Sequence, residues 1–146
     1  MTDDQSVAAE AHRWTGPILL IGVGGGIGAV CRHFLTVDLP VASHPLPWPT
    51  FAVNIAGCFL MGILTVFLAE SRTPHPSAQL LLGTGFLGGF TTFSHFMDGI
   101  REMVSGGSAG EAAIYTILTI VGGLAAVWIG SGAMQRLRSP RSPPPS

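Results

Sequence analysis

The stretch that decides how this chain is read is Gly83-Thr84-Gly85-Phe86-Leu87-Gly88-Gly89-Phe90-Thr91-Thr92-Phe93-Ser94-His95-Phe96. Four Gly within seven residues weaken a helix even by membrane standards. Thr91, Thr92 and Ser94 follow at once, and each can compete for backbone hydrogen bonds. The stretch therefore predicts a helix that breaks near Gly88 to Thr92. Its flanks are apolar, so the break falls at membrane depth, where lipid cannot satisfy bare N–H and C=O groups. Such a break persists only where protein, water or an ion pairs those groups. In broken-helix transporters, unwound carbonyls coordinate cations and half-helix N-termini face anions. The plainer alternative is a continuous Gly-rich helix whose Thr and Ser bond back to their own turns.

Outward from this stretch the chain reads as an all-α integral membrane protein. Residues 77–100 form the third of four apolar spans, and the others are 17–37, 51–69 and 112–134. The first is 21 residues long, enough for about 30 Å of hydrocarbon at 1.5 Å per residue. Pro17 suits the first turn of that helix, where its missing N–H is no loss. Residues 38–50 hold Pro40, Pro45, Pro47 and Pro49 and read as a loop. Residues 70–76 and 101–111 read as turns. Residues 1–14 make a polar segment expected to fray, and residues 135–146 a Pro/Ser/Arg tail expected to be disordered. Between them lies one transmembrane domain, residues 15–134.

Composition agrees. Of 146 residues, 47% are hydrophobic and 10% charged, against about 25% charged in soluble domains. There is no Lys, and the net charge of −1 excludes a strongly basic nucleic-acid binder. Asp3, Asp4 and Glu10 precede the first span, so it is expected to be a retained helix and not a signal peptide. Cys31 and Cys58 each sit in an apolar run and read as small buried hydrophobes, not as a disulfide framework.

Four spans put both termini on one side, with Arg13, Arg72, Arg136, Arg138 and Arg141. Arg101 and Arg32 belong to the other side. The positive-inside rule then favours cytoplasmic termini, though three of those five Arg lie in the tail, and insertion in both orientations stays open. Gly22 with Gly26, Gly24 with Gly28, and Gly85 with Gly89 form Gly-x-x-x-Gly pairs. Such pairs let helix backbones approach closely, within one chain or between two.

Polar residues inside the spans narrow the function. Asn54, the one Asn in the chain, can offer two N–H donors to an anion, or act as glue between helices. Arg32 near the end of the first span costs roughly 3 kcal/mol at the membrane centre. It either snorkels to the interface or lends a positive potential to an anion path. Tyr115 and Thr119 share a helix face as a short run of hydroxyls, with Thr116 beside them; Tyr115 also suits an interfacial belt. Phe90, Phe93 and Phe96 recur every three residues, either as packing aromatics or as rings presenting positive edges. Gly24-Gly25-Gly26-Ile27-Gly28-Ala29 loosely fits a dinucleotide fingerprint, but no strand–helix alternation or following acid supports it. His33, His44, His75 and His95 lack metal-ligand spacing, and no catalytic cluster emerges, so the chain is not read as an enzyme.

Three segments together resemble the CrcB/Fluc fluoride channel family. They are Gly25-Gly26-Ile27-Gly28-Ala29-Val30-Cys31-Arg32-His33, Val53-Asn54-Ile55-Ala56-Gly57-Cys58-Phe59-Leu60-Met61-Gly62, and Gly88-Gly89-Phe90-Thr91-Thr92-Phe93-Ser94-His95-Phe96. They fall in the family's order, and the likeness covers most of residues 17–134. The resemblance implies an antiparallel, dual-topology dimer with two fluoride pathways in the bacterial cell (inner) membrane. It implies a structural Na⁺ at the dimer centre, held by the backbone carbonyls of Gly88 and Thr91. It carries the fluoride pathway onto Asn54, Phe93, Phe96, Arg32 and Tyr115, with Thr92 and Ser94 completing the polar track; Thr119, on the Tyr115 face, is expected on the same pathway. His95 and His33 depart from the family, which usually has Thr or Ser and Tyr there. The partner is then a second copy or a homologue of opposite orientation.

Stripping water from a small anion costs on the order of 20 kcal/mol in an apolar medium. The expected pathway replaces that water piecemeal with weak donors: the Asn54 amide, Thr and Ser hydroxyls and Phe edges. A larger chloride would be excluded by a narrow lining. The expected flow is passive and, with the cell interior negative, outward; no ATP-binding motif points to a pump. Two alternatives stand beside it: a structural membrane subunit with no pathway, and a cation-coupled small-molecule transporter. The latter needs an intramembrane carboxylate, for which Asp98 is the candidate.

Overall fold

The computed structural model describes residues 3–37, 46–71 and 76–138, which are helical with short connections and hold no strand. Helix α1 spans Asp3–Val37. It begins well before the apolar span, so the residues expected to fray up to Trp14 are helical from Asp3 and Pro17 lies inside the helix. The reason is local: Gln5, Ala8, Ala9, Glu10 and Ala11 are good helix formers and extend the helix beyond the apolar run. Helix α2 spans Trp48–Ala69 and starts with Pro in its first turn, where a missing N–H is no loss. Residues 38–45 and 72–75, including most of the expected first loop, Arg72, His44 and His75, lie outside the described residues.

The third apolar stretch is not one helix. Its first half, α3, covers residues 76–90: a single turn Pro76–Ala78, a π-helical run Gln79–Leu87, and a last turn Gly88–Phe90. Thr91 then turns extended, with φ −77° and ψ 159°. Helix α4 resumes over Ser94–Ser105. The break thus occupies residues 91–93, at the C-terminal side of the window the Gly-rich run indicated. π-Helical turns are rare and tend to mark functional sites.

Helix α4 ends in a glycine stop. Gly107 takes φ +84°, Ser108 N–H reaches the Met103 carbonyl at 2.8 Å, and Gly107 N–H reaches Val104 at 3.1 Å. Such a left-handed Gly closes a helix end. Helix α5 then runs Ala109–Arg138, so the tail expected from residue 135 is helical as far as Arg138. Arg136 and Arg138 in its last turn complement the helix dipole. Arg141 and the rest of the tail lie outside the described residues.

Among the described residues, three segments are long and apolar enough to cross a bilayer: His12–Val37 in α1, Trp48–Ala69 and Ala109–Arg138. The third region supplies no single helix of that length, because its break divides it. Large apolar side chains point outward, among them Ile18, Leu19 and Ile27 on α1 and Val121, Leu124 and Trp128 on α5. That outward apolar surface is what a lipid solvent requires.

Two helix pairs make the body. In the first, α1 lies against α3, and a Cβ at Gly24 or Gly28 would run into the Leu81 or Phe86 carbonyl. Gly89 meets the Gly25 carbonyl in the same way. The Gly24–Gly28 and Gly85–Gly89 pairs therefore pack within the chain, whereas Gly22 and Gly26 face open space. In the second pair α2 lies along α5, where Ser131 Oγ donates to the Gly62 carbonyl at 3.2 Å. Arg138 lies over the Phe67 ring, 4.5 Å from its centre, and donates to the Phe67 carbonyl at 3.2 Å. It thereby marks the end of the bundle opposite Arg101, which pairs with Asp98 at 3.5 Å. A small core of Phe96, Met103, Ala112 and Tyr115 joins α4 to α5.

Candidate functional site

The break is held open by side chains from two other helices. The last regular bonds of α3 are the Thr91 N–H and hydroxyl, both donated to the Leu87 carbonyl at 3.0 Å. The next N–H, on Thr92, goes instead to Asn54 Oδ1 at 2.8 Å. Asn54 Nδ2 returns a bond to the Thr92 carbonyl at 3.0 Å. One amide from α2 thus clamps the unwound residue at both its donor and its acceptor. Gly57 permits this approach, since a Cβ there would strike the Thr91 side chain.

The clamp has two consequences. With Thr92 N–H committed to Asn54, the Gly88 carbonyl loses its helical partner. His95 N–H goes to Thr92 Oγ1 at 3.3 Å, so the Thr91 carbonyl loses its helical partner as well. These are the two carbonyls the family resemblance assigns to Na⁺, and carbonyl oxygens suit a hard cation. The second consequence concerns Asn54, which carries two amide hydrogens. One is spent on Thr92, and one remains of the two the sequence offered.

Around the clamp the remaining polar groups interlock. Thr92 Oγ1 lies 3.1 Å from Ser94 Oγ and 3.1 Å from His95 Nδ1. Arg32 reaches in from α1, with Nε donating to the Gly89 carbonyl at 3.3 Å and Nη1 lying 3.4 Å from His95 Nδ1. An Arg can only donate, so His95 Nδ1 accepts there. Gly89 and His95 thus join the site. Gly89 read as a packing glycine from its spacing, and a carbonyl acceptor leaves no mark in the residue type. The signal for His95 was its place inside the run of Thr and Ser.

Beside the break lies a cavity of about 460 Å³, lined by Asn54, Thr91, Thr92, Phe93, Phe96 and Thr119 among others. Phe93 and Phe96 are 5.8 Å apart at their centres and tilted by 44°. Phe93 is 74% exposed and Phe96 only 7%. Phe96 leans on Tyr115, 5.4 Å away. Phe90 instead stacks on Phe86 and packs α3. Thr119 spends its hydroxyl hydrogen on the Tyr115 carbonyl at 2.8 Å. The Tyr115 hydroxyl is buried and has no hydrogen-bond partner among the described residues.

Of the residues placed on the pathway, the cavity gathers Asn54, Thr92, Phe93, Phe96 and Thr119. Ser94 adjoins it through Thr92, Tyr115 through Phe96, and Arg32 through His95 and Gly89. The residues lining this cavity include no Asp or Glu, and no group of three His, Cys, Asp or Glu among the described residues could hold a metal. N–H donors, ring edges and a nearby guanidinium suit an anion. A second cavity of about 470 Å³, by Thr65, Gln79 and Thr84, holds none of these residues.

Residues 19–131 match the family model described as CrcB-like protein, Camphor Resistance (CrcB). The fluoride-specific ion channel FluC 2 of Nocardia farcinica is 40% identical over 116 residues, covering 80% of this chain and 83% of that one. The fluoride-specific ion channel FluC of Chlorobium phaeobacteroides is 40% identical over 113 residues, covering 77% and 88%. That of Rhizobium leguminosarum bv. trifolii is 38% identical over 120 residues, covering 82% and 96%. The matched segment runs from α1 through the Asn54 clamp and the break into α5, so the chain belongs to the CrcB family.

Proposed function

We propose that this chain is the subunit of a fluoride-selective ion channel in the bacterial cell membrane, which lowers cytoplasmic fluoride by passive export. The observation that carries it is the Asn54 clamp: it leaves one amide N–H beside a cavity edged by Phe93 and Phe96 and free of carboxylates. These groups replace the water of a small anion in small steps. None of them binds it strongly, because the one formal charge, Arg32, is tied to the Gly89 carbonyl and His95. Relatives named as fluoride-specific ion channels, at 38–40% identity, support the same ion. Export needs no pump, since an inside-negative potential drives an anion outward by about 2.3 kcal/mol per 100 mV.

The full channel is a dimer of two oppositely inserted copies, each with four crossings, α3 and α4 together making the third. Two features support a second copy. Phe93, Ser94 and His95 are exposed beside the break in the single chain, and lipid cannot pair the polar groups there. The antiparallel arrangement follows from the family resemblance. A Na⁺ at the centre, on the carbonyls of Gly88 and Thr91, would pair oxygens that the break strips of their helical partners. Replacing Na⁺ with N-methylglucamine is then expected to lower both fluoride flux and the thermal stability of the dimer. If neither changes, the ion is removed from the scheme.

The deciding experiment is anion efflux from liposomes holding the purified chain. Fluoride is expected to leave and chloride to stay. Equal rates sink the fluoride assignment, and no efflux of either favours a structural subunit. Asp98, the carboxylate a cation-coupled transporter requires, is exposed and paired with Arg101, and it does not line the cavity.

A further inference from the structure

We infer that His95 is a positioning residue that ties Arg32 through one ring nitrogen, that a proton competes with Arg32 for that nitrogen, and that fluoride efflux therefore slows as pH falls. The inference rests on the fluoride-channel reading and adds a control to it.

Arg32 Nη1 ends 3.4 Å from His95 Nδ1, while its Nε donates to the Gly89 carbonyl at 3.3 Å. A guanidinium only donates, so Nδ1 offers its lone pair and the hydrogen of the neutral ring sits on Nε2. The one place left for a second proton is Nδ1, the atom that Arg32 occupies. Proton and guanidinium therefore exclude each other. An acceptor for the new N–H stands ready: Thr92 Oγ1 lies 3.1 Å from Nδ1, and it already accepts the His95 backbone N–H at 3.3 Å. Thr92 lines the cavity. Protonation thus turns the ring's bond from α1 toward the cavity wall.

With the ring neutral, the guanidinium faces two acceptors and no full charge stands free beside the path. Protonation places a second positive charge one hydrogen bond from the cavity. It also takes an acceptor from Arg32, which the like charge repels. The residues lining the cavity include no Asp or Glu to offset these charges. Fluoride is then held more tightly and released more slowly. The groups around the ring leave the switch to His95. From α1 comes Arg32, with His33 next to it, exposed and with its ring centre 6.0 Å from that of Phe34. From α3 comes the Gly89 carbonyl. Helix α2 presents Asn54 and Cys58, and α5 presents Thr119, with Tyr115 behind Phe96. On α4 itself Asp98 lies one turn on, held by Arg101 at 3.5 Å. Of these side chains the imidazoles alone ordinarily change charge between about pH 5 and 8.

The assay is fluoride efflux from liposomes holding the full-length chain, less the leak of protein-free liposomes. Between about pH 8 and about pH 5.5 the parent's rate at high internal fluoride is expected to fall severalfold, with half-saturation moving to lower fluoride. His95→Asn, whose Oδ1 can accept from Arg32 but takes no proton, is expected to flatten that profile. His95→Lys, with a fixed charge, is expected to be slow at both ends of the range. His33→Asn is expected to keep the parent's slope; a slope lost there assigns the switch to His33 and overturns the inference. A flat parent profile overturns it too, as does the parent's slope in His95→Asn. A parent that moves no fluoride at any pH fails the channel reading itself, which is a different result. Should His95→Asn not fold, linkage decides, because a proton that tightens fluoride binding is itself taken up when fluoride binds. Fluoride added to weakly buffered parent protein at about pH 6.5, the ordinary imidazole midpoint, is expected to draw in protons, and no uptake overturns the inference.

Discussion

Asn54→Asp separates the two tasks of the clamp. The substitution keeps an acceptor for Thr92 N–H, now bonded to Oδ1 at 2.8 Å. It replaces the donor that holds the Thr92 carbonyl at 3.0 Å with a second oxygen. The carbonyl is left unpaired, at a cost of about 1–3 kcal/mol. The effect on the ion is larger. A unit negative charge about 4 Å from a passing anion raises its energy by about 4 kcal/mol at an effective dielectric of 20. At about 1.4 kcal/mol per factor of ten, flux falls roughly a thousandfold. Asn54→Leu, of similar size and uncharged, removes both bonds and leaves both backbone groups of Thr92 unpaired, so it is expected to be the less stable of the two. Thermal unfolding in detergent should thus rank parent above Asp above Leu. Fluoride efflux from liposomes, measured on folded protein, should show Asp disproportionately impaired for its stability. A folded Asn54→Asp protein with parental flux would falsify the placement of Asn54 on the path. Equal stability of the two variants would show that the clamp does not hold the break.

Gly24→Ala is expected to destabilise by about 1–3 kcal/mol through overpacking, since its Cβ meets the Leu81 carbonyl; Gly22→Ala, in open space, should unfold no earlier than the parent in the same thermal assay. Phe96→Ala is expected to lose about 3–5 kcal/mol because the ring is buried. Phe93→Ala, whose ring is exposed in the single chain, should spare the subunit fold and still slow fluoride efflux. Arg32→Lys cannot reproduce the planar fork that reaches Gly89 and His95 together. Losing one charge-assisted bond, about 1.5–3 kcal/mol, is expected to slow efflux, and a parental rate would make Arg32 a bystander.

The broken third stretch was legible because Gly and the short hydroxyl residues act through local backbone preference, which residue type states directly. Its location at residues 91–93 was less so. That position depends on Asn54, thirty-eight residues away, and no local rule reaches that far. The helical start at Asp3 escaped for the opposite reason: hydropathy marks where lipid begins, whereas helix propensity runs on past it. Among the site residues, Asn54, Phe96 and Arg32 stood out as polar or aromatic groups in an apolar background. Nothing in the sequence marked the Gly89 carbonyl as the acceptor of Arg32, because backbone atoms are the same at every position. Nor did it show that the Thr119 hydroxyl turns back on its own helix, which is a matter of rotamer.

The two helix pairs of the body are each zipped by glycine contacts, α1 to α3 and α2 to α5. A polar tie across them is the Asn54 clamp, at the lip of the cavity. Mechanically the subunit is therefore two stiff plates, pinned to each other by the Asn54 clamp and by the seating of Thr91 against Gly57. A plate closed by backbone contact has no slack of its own, so any give beside the break falls on those pins and not on the plates.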